Sequence, residues 1–207
     1  MKRTCKGIIL LTIIGCFACG CFADEITGTT EITGYYQQYH NFSFEAGGRN
    51  FGFDWDFAPT SLSGGGFSVA QNLADWFAIW TELSIYGRVE QQPTSGYERS
   101  VRLINNLQGI RYQTRQYGPL RLYVKAGAGI AWYGLNLYYP GVGYVDMSGT
   151  KFSAGYGGGA SIWLHKNIGI TLEVSQVLNA LPNLTDTDDR EKFDSGMVYR
   201  TGLTFRF

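Results

Sequence analysis

The sequence predicts an all-β fold, an eight-stranded antiparallel up-and-down β-barrel that crosses a membrane. Three observations carry that prediction. The first is strict alternation, clearest from Met197 to Phe207 at the end of the chain. There Met197, Tyr199, Thr201, Leu203, Phe205 and Phe207 share one face, and Gly196, Val198, Arg200, Gly202, Thr204 and Arg206 share the other. An apolar face backed by glycine, threonine and arginine suits a wall between lipid and water. The second is composition: 28 glycines, 15% aromatic residues and a mean hydropathy of −0.11. That is too polar for helical spans, but fits a wall that turns half of each strand to a polar lumen. The third is a rhythm of short and long connections between the alternating segments.

The chain opens with Lys2, Arg3 and Lys6, an apolar run from Gly7 to Gly15, and then small residues. This is the layout of a secretory signal peptide over residues 1–23, cleaved after Ala23. The run is shorter than the ~20 residues that a helical span needs. Cys16 and Cys21 offer lipidation as the rival fate. All four cysteines (Cys5, Cys16, Cys19 and Cys21) lie in this leader. A barrel domain over 24–207 would therefore hold no disulfide and no cysteine nucleophile. The leader also takes three of the 17 basic residues and none of the 17 acidic ones, leaving 14 against 17, a net charge of −3. That balance disfavours nucleic acid as a partner.

The strands follow in order. Glu31 to Phe44 reads as a strand whose facing its own pattern leaves open. Phe67 and Val69 mark the second. Phe77, Ile79, Leu83 and Ile85 face lipid in the third, with Trp80, Glu82 and Ser84 inward. In Val101 to Thr114 the alternation changes phase: Leu103 and Leu107 suggest one face, Ile110 and Tyr112 the other, and a bulge would explain it. Leu122, Val124, Ala126, Ala128, Ile130 and Trp132 face out in the fifth, with Arg121, Tyr123 and Lys125 inside. Phe152, Ala154, Tyr156, Ala160 and Ile162 face out in the sixth, and Ile168, Ile170, Leu172 and Val174 in the seventh. Met197 to Phe207 is the eighth.

Short connections fall at 72–75, 115–119 and 165–167, and long ones at roughly 45–63, 87–99, 136–150 and 178–194. Membrane barrels have short turns on the periplasmic side, longer external loops and an even strand number. Eight strands with both termini periplasmic satisfy that rule. A soluble ligand-binding barrel would carry the opposite polarity, apolar within and polar without.

Glu31 to Tyr36, Val69 to Phe77, Gly109 to Tyr112 and Thr201 to Phe207 carry a family likeness. The chain resembles the OmpA/OmpX-type small barrels, the broad outer membrane protein beta-barrel domain group, over essentially residues 25–207. The resemblance implies an outer-membrane location, with lipid and lipopolysaccharide around the wall. It also implies that the barrel assembly machinery reads Phe205 and Phe207 as an insertion signal. The chain stops at its last barrel strand, so the periplasmic peptidoglycan-binding domain of full-length relatives is expected to be absent.

Four inward charges, Glu82, Lys125, Glu173 and Arg200, are the candidate lumen network, with Arg121 and Arg206 nearer the periplasmic end. At the lipid midplane a Lys or Arg would cost ~2–4 kcal/mol, so phase and energetics both place them inside. They read either as a salt-bridged plug filling a narrow interior or as a gated pore whose partners exchange. Phe51, Phe53, Trp55 and Phe57 in the first long connection would line one face of a protruding strand, a candidate contact surface. Their alternative is packing on their own hairpin, or on Tyr138 and Tyr139.

Asp186, Asp188 and Asp189 lack the glycine and glutamate positions of a calcium loop, so no metal site is expected. The glycines at 127–129 and 155–159 lie within strands and open no helix, so they are not phosphate loops. His40 and His165 have no carboxylate partner that sequence can place, and no catalytic residue or cofactor is expected. The function expected is envelope structure and surface interaction through the loops. The alternative is a low-conductance channel for ions or small solutes.

Overall fold

The computed structural model describes residues 28–48, 53–92, 97–114, 119–139, 143–181 and 192–207. Within them run β1 (Thr30–Gly48), β2 (Phe53–Ala74), β3 (Phe77–Gln92), β4 (Tyr97–Gln113), β5 (Leu120–Tyr139), β6 (Gly143–His165), β7 (Ile168–Leu181) and β8 (Lys192–Arg206). Each pairs antiparallel with the next, and β1 closes on β8 with Glu31 opposite Arg206 and His40 opposite Met197. Closure satisfies the strand edges internally, as a hydrocarbon surround requires. The connections after Ala74, Gln113 and His165 share one end of the barrel with the start of β1 and the end of β8.

Three expectations change. The long connections contract because the strands run into them: β2 begins at Phe53 and β6 at Gly143. Ladder hydrogen bonds need no apolar face, so pairing persists where alternation fades. In β4 there is no bulge; both of its ladders run unshifted down to the turn. Val101, Leu103, Asn105, Leu107 and Arg111 all face inward, so what changes along β4 is polarity rather than phase. The register shifts lie elsewhere: in the β1–β2 pairing between Tyr39 and Phe42 and again before Phe44, and beside the turns at Asn72–Ala74 and Trp163–His165. The facing of β1 resolves as Glu31, Thr33, Tyr35, Gln37 and Tyr39 inward, with Ile32, Tyr36 and Gln38 outward.

The outer wall carries an apolar belt that includes Ile32, Phe67, Ile85, Ile110, Val124, Phe152, Leu172 and Leu203. Trp76, Phe77 and Tyr112 cluster at its lower rim, with Trp76 stacked on Tyr112 at 5.9 Å. Higher up, the outer face turns polar through Arg102, Asp146, Ser148 and Thr150, all exposed. The interior changes in the opposite sense. Charged residues fill the lower and middle lumen, and Tyr39, Leu62, Tyr86, Leu103, Val177 and Val198 fill the upper lumen, each 1% exposed or less. Inward glycines make room for these large side chains. A Cβ on Gly196 would lie 2.0 Å from the Tyr39 ring, and one on Gly127 would lie 2.7 Å from Trp80.

Candidate functional site

The barrel brings Glu82 (β3), Lys125 (β5), Glu173 (β7) and Arg200 (β8) together at mid-lumen. Arg200 is the hub. Its Nη2 donates to Glu82 Oε1 at 2.7 Å, its Nη1 to Glu173 and Ser175, and its Nε to Gln37 Oε1 at 3.1 Å. Lys125 Nζ bridges the same two carboxylates, 2.7 Å from Glu82 Oε2 and 2.9 Å from Glu173 Oε1. Ser84 Oγ donates to Glu82 at 2.9 Å and Tyr123 Oη to Glu173 Oε2 at 2.9 Å. Lys125 also sits 4.3 Å from the centre of the Trp80 ring. Two cations and two carboxylates balance, and their hydrogen bonds interlock, so the group offsets a desolvation cost that an isolated pair would not.

Nearer the turn end lies a second network that sequence reading had not assembled. Glu31 accepts from Arg111 Nη2 at 2.6 Å, Arg121 Nη1 at 3.2 Å and Arg206 Nη2 at 2.9 Å. Asn72 joins it, donating to Glu31 at 3.3 Å and accepting from Arg111 and Gln113. Arg206 stacks on Trp163, 3.5 Å from the ring centre. Arg121 and Arg206 stand where their strands' phase put them. Glu31 and Arg111 were missed because the phase of β1 and β4 was unread, although Ile110 and Tyr112 outward already implied Arg111 inward.

A cavity of about 20 Å³ separates the two networks, with Thr33, Tyr35, Arg111, Lys125, Glu173 and Arg200 among its lining residues. That is room for a water or so, not for a solute. Above it stands the apolar layer of Tyr39, Leu62, Tyr86, Leu103, Val177 and Val198. Tyr39 and Tyr86 meet edge to face at 5.5 Å, and the Tyr39 hydroxyl takes a 3.2 Å hydrogen bond from Asn179.

Of the surface residues, Phe51 and Ala23 lie outside the described residues, as does the 186–189 acidic run. Phe53, Trp55 and Phe57 belong to β2, opposite Gly48, Ala46 and Phe44 of β1. Phe205 faces outward on β8, and Phe207 follows it, its N–H donating to the Thr30 carbonyl at 2.9 Å. His40 faces outward, 3.3 Å from Gln38 and edge-on to Tyr199. His165 ends β6. No cluster of three or more metal-ligating side chains occurs among the described residues.

Over residues 9–207 the chain matches the family model described as outer membrane protein beta-barrel domain. No curated protein sequence matches it. Among solved structures it is similar to Ail, the attachment invasion locus protein of Yersinia pestis, in complex with the heparin analogue sucrose octasulfate. Identity there is 17% and TM-score 0.56, over 87% of this chain and 99% of that one. Neisserial surface protein A is 10% identical with TM-score 0.52, over 87% and 97% of the two chains. OprG from Pseudomonas aeruginosa is 11% identical with TM-score 0.52, over 87% and 96%. At these identities the likeness is one of fold.

Proposed function

The chain belongs to the outer membrane protein beta-barrel domain family, and we propose that this integral outer-membrane protein is a closed, non-enzymatic scaffold that acts through its loops. One observation carries the reading: the lumen holds two buried ion-paired layers beneath an apolar layer, with about 20 Å³ of internal space between the charged layers. An interior filled by its own side chains is the expected state at eight strands. Interaction is then left to the rims. On this reading residues 1–23 are removed after Ala23, both termini are periplasmic, and Phe205 and Phe207 are read by the assembly machinery. Lipopolysaccharide surrounds the upper belt, and the aromatic run from Phe51 to Phe57 contacts extracellular ligands. Because Ail on the same scaffold is seen with a sulfated sugar analogue, heparin is the first probe to offer the loops.

A second reading, a low-conductance channel, draws on Lys125. It touches Glu82 and Glu173 at once, so an exchange of partners could open the middle layer. Single-channel recording of refolded protein in a planar bilayer separates the two, with folding checked by the heat-dependent shift in gel mobility. A silent bilayer for the wild type and for Glu173→Gln supports the scaffold. Discrete openings altered by Glu173→Gln would overturn it in favour of the channel.

A further inference from the structure

The outer face of β4 breaks the apolar belt. Between Ile110 below and Ile104 above it presents Gln108, exposed, and Asn106, 6% exposed. Thr81 of β3 pairs in register with Gln108, and Leu83 with Asn106. The depth is that of the hydrocarbon core. Four residues above the aromatic rim at Tyr112, at ~3.3 Å each and a tilt of ~40°, Gln108 stands about 10 Å into a belt ~25 Å tall. Asn106 stands about 15 Å in by the same measure.

The outward glutamines Gln176, Gln38 and Gln71 find partners on their own barrel. Gln176 takes the Tyr156 hydroxyl and donates to Ser195 at 2.6 Å. Gln38 donates to Tyr36 at 3.3 Å, and Gln71 accepts from Thr30 at 2.6 Å. Among the described residues no side-chain hydrogen bond reaches Asn106 or Gln108, and Thr81 Oγ1 is buried without a partner. Hydrocarbon offers neither donor nor acceptor, so amides left there draw a protein partner. A primary amide carries two donors and an acceptor, and is complementary to itself. Across a two-fold axis the amide donors of one patch face the amide acceptors of its copy.

We propose that the β3–β4 wall is a self-association surface, on which a second copy of this chain docks its own Asn106 and Gln108. The flanking Ile79, Leu83, Ile104 and Ile110 supply the apolar contact around that polar centre.

Cysteine substitution in native outer membranes tests it. Under mild oxidation Gln108→Cys should give a disulfide-linked dimer, and Leu172→Cys on the opposite wall should not. Equal yields at both positions, or no dimer at either, would overturn the proposal. So would an adduct of another mass, which would mean a different protein covers the patch. As a second arm, energy transfer between labelled copies in bilayers should show about a tenfold weaker association for Asn106→Leu combined with Gln108→Leu. The gel-mobility shift that marks a folded barrel should persist in that variant. Unchanged energy transfer would count against the proposal equally.

Discussion

Compare the lumen around Arg200 with the lumen above it. At and below Arg200 the interior is ionic: three carboxylates and five cations joined by direct hydrogen bonds, behind an apolar outer wall. Above it Leu62, Leu103, Val177 and Val198 are buried inside, and the outer wall turns polar at Arg102 and, farther up β6, at Thr150, Ser148 and Asp146. Going up the barrel, the interior turns from ionic to apolar and the outer wall from apolar to polar. The difference teaches that one continuous set of strands serves two solvents. Each wall takes the polarity of what lies beside it, and the interior takes whatever the strands still have to bury.

The comparison can be broken from either side. Arg200→Met should be the most damaging change, about 3–5 kcal/mol, because Glu82 and Glu173 lose their hub and are left to share Lys125. Urea titration of the gel-mobility shift would read it, and a loss under about 1 kcal/mol would mean the layer is solvated. Leu172→Arg on the lower outer wall should cost about 2–4 kcal/mol in bilayers. Leu103→Ala in the upper interior should cost at least about 2 kcal/mol through the cavity it leaves. A smaller loss there would mean that water already fills the upper lumen. Gly34→Ala, where nothing lies within 4 Å of the added carbon, should stay within about 0.5 kcal/mol.

The lower region was legible in the sequence and the upper one was not. Between Ile168 and Val174, or Leu122 and Trp132, lipid on one side and ions on the other force clean alternation, so strand, phase and the Glu82, Lys125, Glu173 and Arg200 positions could be read directly. Above the belt both faces are of mixed character. The strands there looked like loops, and Leu103 and Leu107 looked out of phase when both face the interior, Leu107 against Ala70 and Trp80. Glu31 could not be joined to Arg111 because Tyr35 and Tyr36 give β1 an aromatic on each face. Bonds that cross the lumen, such as Arg111 to Glu31, join residues 80 positions apart. Only closure of the barrel brings them together.

The account turns on whether the upper lumen is dry, and thiol labelling with a membrane-impermeant maleimide measures that directly. Ser148→Cys, Ala154→Cys and Leu103→Cys would be compared in bilayer-embedded protein, against the unsubstituted chain. A dry, closed upper lumen predicts rapid labelling at 148 on the exposed wall, and protection both at 154 in the apolar belt and at 103 inside. Labelling at 103 as fast as at 148 would show an open, water-filled upper lumen and contradict the closed-scaffold account.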